Sequence, residues 1–308
     1  MLSGVAQTVL RRDSIIVVSS IALITALSWA YVASLASDMQ NMDVVTEMAL
    51  PQMQAWSATD FALTFVMWAV MMVAMMTPSA APMILMFAGI NRRRQNQQVP
   101  YVPTSVFLMG YLVVWAGFSV LATAAQWGLH GLSLLSPMMA STSPVVGGVL
   151  LLIAGIYQWT PLKHACLSKC RSPLGFVLNE WREGRCGAFV MGLKHGGYCT
   201  GCCWSVMALL FVAGVMNLLW VAAIAGFVLL EKAAPAGQRI GQAVGVLMVA
   251  GGIVLLLGLA MWGGMQPEMN PGMESEPGME SEPEMGPKMG PYIGLSVPEL
   301  PRRHRIGN

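Results

Sequence analysis

Residues 61–94 read FALTFVMWAVMMVAMMTPSAAPMILMFAGINRRR, an uncharged run over 61–90 closed by Arg92, Arg93 and Arg94. As a helix, such a run is long enough to cross a hydrocarbon core of roughly 30 Å. The arginine triplet marks its cytoplasmic end by the positive-inside rule. Fold class follows from this stretch: an all-α, polytopic transmembrane helix bundle. Within it Met67, Met71 and Met75 recur at i, i+4 and i+8 with Met72 and Met76 beside them, so one flank of the helix is rich in thioethers. Pro78 and Pro82 remove backbone donors and predict a kink or an interruption, which a membrane tolerates where protein groups satisfy the freed carbonyls. Two readings of the methionines stand. They are an adaptable packing seam, or Met71 and Met75 are ligands on a path for Cu(I), which neutral thioethers bind well.

Composition agrees with the membrane reading. Of 308 residues, 56% are hydrophobic and 10% charged, against about 25% charged in an ordinary soluble domain. The net charge of +2 gives no reason to expect nucleic acid as a partner; the expected surroundings are a lipid bilayer. The six cysteines, all between Cys166 and Cys203, do not resemble the disulfide framework of a secreted domain.

Working outward, Arg11 and Arg12 precede an apolar run from Ser14 to about Ala36, read as a retained first span with its N-terminus in the cytoplasm. The following loop carries Asp38, Asp43, Glu47 and Asp60 without a lysine or arginine, and belongs outside. A third span is expected from about Thr104 to Trp127. An uncharged loop from His130 to Ser143 leads to a short fourth span over Val145–Trp159. The segment 161–187 is the most charged of the chain, with Lys163, Lys169, Arg171, Arg182 and Arg185, and its positive excess places it inside.

Cys166 and Cys170 in that segment are one helical turn apart. Further on stands His195-Gly196-Gly197-Tyr198-Cys199-Thr200-Gly201-Cys202-Cys203. On a helix, His195, Cys199, Cys202 and Cys203 share one face within an arc of roughly 100°, although the three glycines weigh against a continuous helix. Thiolate with imidazole suits Cu(I) or Zn(II) and not Mg or Ca. The competing readings are a thiol-disulfide pair, for which C-x-x-C is also the spacing, and cysteines serving as small buried hydrophobes.

The apolar stretch 198–230 is longer than one ordinary span needs. Either a hairpin at Asn217 makes two short spans, or one tilted helix crosses once, so the bundle has six to seven spans. Asn217 is read as a helix cap and Glu231 with Lys232 as an interfacial charge pair. A last span runs over about Ile240–Trp262. Beyond it, residues 265–308 form a Met/Pro/Glu-rich tail with a Pro-Gly-Met-Glu-Ser-Glu near-repeat, a composition that predicts disorder. Its thioethers fit a copper scavenger or a plain solvated tail. The expected organisation is 1–59 for the first span and external loop, 60–264 for the membrane domain, and 265–308 for the tail.

Three segments carry a resemblance: W-A-V-M-M-V-A-M-M-T-P-S (68–79), T-P-L-K-H-A-C-L-S-K-C-R-S-P (160–173), and the block from Met191 to Trp220 with its closing V-L-L-E-K (228–232). They resemble the bacterial domain-of-unknown-function 2182 family, predicted metal-binding integral membrane proteins. The resemblance implies a multi-pass inner-membrane protein that handles metal, and it brings no established reaction.

No nucleotide-binding G-x-x-x-x-G-K-[ST] loop and no D-K-T-G phosphorylation sequence is present, so no nucleotide is expected. The leading expectation is a membrane metal-binding protein for Cu(I), with Zn(II) as the second candidate ion. His195, Cys199, Cys202, Cys203, Cys166, Cys170, Met71 and Met75 are its candidate ligands. It would pass the ion across the membrane, or to a metallochaperone or metalloprotein client. The alternatives are a membrane thiol-disulfide oxidoreductase and a non-catalytic scaffold.

Overall fold

The computed structural model describes residues 2–40, 57–95, 102–131 and 143–263. Asp43 and Glu47, the loop over 132–142 and the whole methionine-rich tail from 265 lie outside the described residues. Among the described residues every regular element is a helix: α1 (Leu2–Gln40), α2 (Ala58–Gln95), α3 (Thr104–Gly131), α4 (Pro144–Tyr157), α5 (Pro161–Arg171), α6 (Pro173–Glu180), α7 (Gly184–Ala208), α8 (Leu210–Ala213), α9 (Leu218–Ala233) and α10 (Gly237–Gly263). The all-α class is as expected. Helix α1 packs on α2, α2 on α3, α3 on α7 and α4 on α10, while α9 touches both α2 and α10.

Among the described residues, five segments are long and apolar enough to cross a membrane: Ile15–Asp38, Ala58–Arg94, Thr104–Gly131, Gly184–Ala213 and Gly237–Gly258. A sixth is added if α4 and α5, bent by 65° at their junction, count as one broken span. Leu27, Leu121, Leu219, Leu247 and Val254 are exposed, as bilayer-facing side chains would be.

Local chemistry sets the helix starts. Ser57 and Asp60 form a reciprocal capping box at α2, with Ser57 N–H donating to Asp60 at 2.9 Å and Asp60 N–H to the Ser57 hydroxyl at 3.3 Å. Helix α4 begins with Pro144 after the cap Ser143, and α5 with Pro161 after Thr160, whose hydroxyl accepts from Lys163 N–H.

The interruption expected at Pro78 and Pro82 is absent, for α2 continues through both. Pro78 has no N–H to give the Ala74 carbonyl one turn back. The Trp29 indole of α1 donates to that carbonyl instead, at 3.2 Å. A neighbouring helix thus supplies the donor that the proline removes.

Helices α3 and α7 cross with backbones nearly touching. A Cβ on Gly192 would be driven into the Phe107 carbonyl oxygen, and one on Gly110 into that of Phe189. Small residues at this crossing let two helices approach closely, the packing device of membrane helices. Contrary to the doubt raised by its glycines, α7 is continuous through Gly196, Gly197 and Gly201. Gly196 packs on Val114, and such contacts offset the roughly 1 kcal/mol that glycine costs in a helix.

The long apolar stretch does break. Gly214 takes φ of +87°, and the Asn217 side chain caps α9 by accepting from Trp220 N–H at 3.4 Å. Helix α9 then returns along α7, because Lys232 near its end meets Cys199. A single tilted helix over 198–230 is therefore replaced by a helical hairpin.

Candidate metal centre

Five helices, α2, α3, α5, α7 and α9, meet at one end of this hairpin. The α4–α5 bend folds α5 onto α7. Cys166 lies against the bare face of Gly201, where an added Cβ would stand 2.9 Å from the Cys166 sulfur. Cys170, one turn on, is half-buried and packs against the same core as Cys199 and Cys202. The α5 helix is anchored by Lys163, which pairs with Glu231 of α9 at 2.6 Å, the two side chains being 1% and 2% exposed. Lys163 also donates to the Gln158 side-chain oxygen. This corrects one expectation: Glu231 is a buried partner of Lys163, not an interfacial partner of Lys232.

Lys232 turns the other way. Its ammonium donates to the Cys199 sulfur at 2.9 Å and to the Ser79 hydroxyl of α2 at 3.0 Å. Tyr111 of α3 donates its hydroxyl proton to the Met76 carbonyl at 3.1 Å and lies 3.3 Å from the Cys199 sulfur. Cys202 and Cys203 thiols donate to the Cys199 carbonyl at 3.1 and 3.0 Å, as helical cysteines three and four residues on can. The Cys203 sulfur also lies 4.0 Å from that of Met76. Sulfur atoms from α2 and α7 thus meet in one buried place, with the half-buried cysteines of α5 packed against the same core.

The remaining candidates fall around it. His195 is buried, its ring flanked by Phe107, Tyr111 and Phe176 at centroid distances of 6.1, 5.7 and 5.6 Å. Its Nδ1 has no hydrogen-bond partner, an arrangement that is costly unless something else uses the lone pair or proton. Met71 and Met75 are buried in the core of α2, on the Asp60 side of Met76. Cys186 is exposed and apart.

Among the described residues, no group of three or more His, Cys, Asp or Glu side chains is disposed to hold a metal ion. Local hydrogen bonding accounts for this. Two of the thiols are turned back onto the Cys199 carbonyl and the imidazole is held in an aromatic stack, so donors that share a helix face do not converge on one point. The thioether of Met76 is a further soft donor beside that set.

Three residues at the centre escaped the sequence reading as site residues: Met76, Tyr111 and Lys232. Met76 carried a signal, since it shares a helical turn with Met72 within the methionine-rich flank. Lys232 carried a weaker one, a cation closing an apolar run. Tyr111 had none, because only the α3–α7 crossing brings it to Cys199.

The charged ends of the bundle also come together. Arg94 of the arginine triplet pairs with Glu183 at 2.7 Å and lies 5.0 Å from the Trp181 ring centroid. The two segments expected on the same side of the membrane are therefore neighbours. Against known proteins, a family model described as PpoB2, a copper chaperone, matches residues 65–255. No curated protein and no solved structure matches. The match agrees with the metal-handling character that the motifs implied and names copper, without establishing the domain-of-unknown-function 2182 name.

Proposed function

From the premise that the chain belongs to the PpoB2 copper chaperone family, we propose that it is a bacterial inner-membrane carrier of Cu(I) that hands the ion to a metallochaperone or metalloprotein client. The observation that carries this reading is the meeting of the Met76 thioether with the cysteines of α7, 4.0 Å from Cys203, whose thiol donates to the Cys199 carbonyl. Thioether and thiolate together favour Cu(I).

In this reading residues 60–264 are the membrane domain, with five or six of the six to seven crossings, flanked by 1–59, which holds the first crossing, and by 265–308. Met71 and Met75 offer neutral sulfurs along α2. They pass the ion to Met76 and then to Cys199, Cys202, Cys203 and Cys170, with Cys166 and His195 at the edge of the cluster. Thioethers bind without losing a proton, whereas each thiol must lose one, so the ion moves from weaker to tighter donors toward the lysine-bearing end. No nucleotide motif accompanies this path, and release rests on ligand exchange with the client's thiols. Zn(II) is the second candidate ion.

Metal analysis of the purified protein after loading with Cu(I) tests the reading. The wild type should retain copper, and the Cys199→Ser, Cys202→Ser double variant should lose most of it while still inserting into membranes. Full occupancy in that variant rules the cluster out. The C-x-x-C spacing of Cys199 and Cys202, both free and buried, favours one competitor, a thiol-disulfide oxidoreductase. That competitor requires a labile disulfide in metal-free protein.

A further inference from the structure

We propose that Lys232 determines the charge specificity of the sulfur cluster, selecting a monovalent soft cation, Cu(I) or its analogue Ag(I), over divalent Zn(II). The proposal rests on the Cu(I) reading above and goes beyond it to name the residue that sets the preference. Its ammonium is 2.9 Å from Cys199 Sγ and is held there by Ser79 at 3.0 Å. The neighbouring cations are committed elsewhere. Lys163 is paired with Glu231, and the Arg171 guanidinium donates to the Ala234 and Pro235 carbonyls at 2.6 and 2.9 Å. Among the described residues, Lys232 is therefore the cation that faces the thiols.

Charge arithmetic follows from that placement. When two thiols, Cys199 and Cys203, give up their protons to solvent and bind one ion with the neutral Met76 thioether, a monovalent cation leaves the centre at minus one. Lys232 returns the sum to zero. Zn(II) in the same place, beside the same ammonium, leaves a positive charge in apolar surroundings, and a buried uncompensated charge is strongly disfavoured. Zn(II) balances Lys232 only by recruiting a third thiolate, such as Cys170 from α5. It would then sit beside Met76, a thioether suited to Cu(I).

The test is equilibrium competition between Ag(I) and Zn(II) on reduced, full-length protein in detergent micelles, read by elemental analysis of the bound metal. Wild type should prefer Ag(I). Lys232→Leu, which adds no sulfur donor, should lower the Ag(I)-to-Zn(II) ratio about tenfold or more, equivalent to about 1.4 kcal/mol. Lys232→Gln, which keeps a donor for Ser79 but carries no charge, should do the same, and Lys232→Arg should stay close to wild type. Should the leucine variant fail to fold, the glutamine variant carries the test. A ratio unchanged in a folded neutral variant overturns the proposal while leaving the Cu(I) reading intact. A wild type that binds no Ag(I) overturns both.

Discussion

The Met76 sulfur stands 4.0 Å from the Cys203 thiol across 127 residues of chain. This contact joins the two sulfur-rich stretches of the sequence, and it does so through a methionine one position away from Met75. Helix rotation explains the difference. Met71 and Met75 share a face, while Met76 is turned by about 100° from Met75, toward α7.

Met76→Leu should therefore separate ligation from packing. The swap keeps volume and apolarity, so packing alone predicts a stability loss under about 1.5 kcal/mol. Affinity for Ag(I) in detergent should nevertheless fall about tenfold. The Met71→Leu, Met75→Leu variant should bind normally at equilibrium yet slow copper accumulation in cells, since these sulfurs serve the approach. Wild-type affinity in Met76→Leu would return Met76 to the packing seam.

The α3–α7 crossing positions Tyr111 against Cys199, so it should be intolerant of even one added methyl. Gly192→Ala forces a Cβ into the Phe107 carbonyl, and overpacking of this kind costs about 1–3 kcal/mol. Gly197→Ala on the same helix meets nothing within 4 Å and should be neutral or slightly stabilising. Thermal midpoints of the two variants in one detergent check this, and equal midpoints would contradict the crossing.

How much of this was legible in the chain differs by level. The helices were readable, and the break at Asn217 stood as one of two readings, because run length, capping residues and a lysine/arginine-bearing end are local signals. The continuity of α2 through Pro78 was not, since it depends on Trp29 of another helix reaching the Ala74 carbonyl. The cysteine block was readable as a shared helix face, but not its gathering with Cys170, which needs the 65° bend between α4 and α5. Glu231 and Lys232 look like a pair in sequence. As neighbours on a helix they point about 100° apart, and each finds a partner on a different element.

The Lys163–Glu231 pair supplies a sharper energetic test. With both side chains at most 2% exposed, removing one partner strands a buried charge, at a cost of about 3–5 kcal/mol. Lys163→Leu and Glu231→Leu should each destabilise strongly. The double variant should recover most of the loss, because two apolar side chains leave no charge unpaired. A double variant as unstable as the sum of the singles would show that the pair is not coupled.

Outside the spans, Glu180 carries a pH signature. A hydrogen bond from Lys194 at 2.5 Å holds its carboxyl below the ordinary value of 4.5. A depressed folded-state pKa means that the pair contributes stability above 4.5 and loses it as pH falls through the lower folded value. Exposure keeps the effect small. The thermal midpoint of Glu180→Gln should lie slightly below wild type at neutral pH, and the gap should close on acidification below 4.5. A gap that widens with acid would reverse the assignment.

Thiol accessibility addresses the cluster and its orientation together. Cys186 is exposed, whereas Cys199, Cys202 and Cys203 are buried, and a thiol must be both reachable and ionised to react with a maleimide. In detergent, Cys186 should label at once, and the three buried thiols only after denaturation. Prior loading with Ag(I) should slow labelling of Cys170, which is half-buried beside them, and leave Cys186 unaffected. In intact spheroplasts an impermeant reagent should miss Cys186, because the lysine and arginine excess of its segment, like the Arg92–Arg94 triplet, is expected to keep it on the cytoplasmic side. Rapid labelling from outside would invert the whole topology. It would then place the tight thiolate end of the path on the outer face, and an ion passing from thioether to thiolate would travel outward.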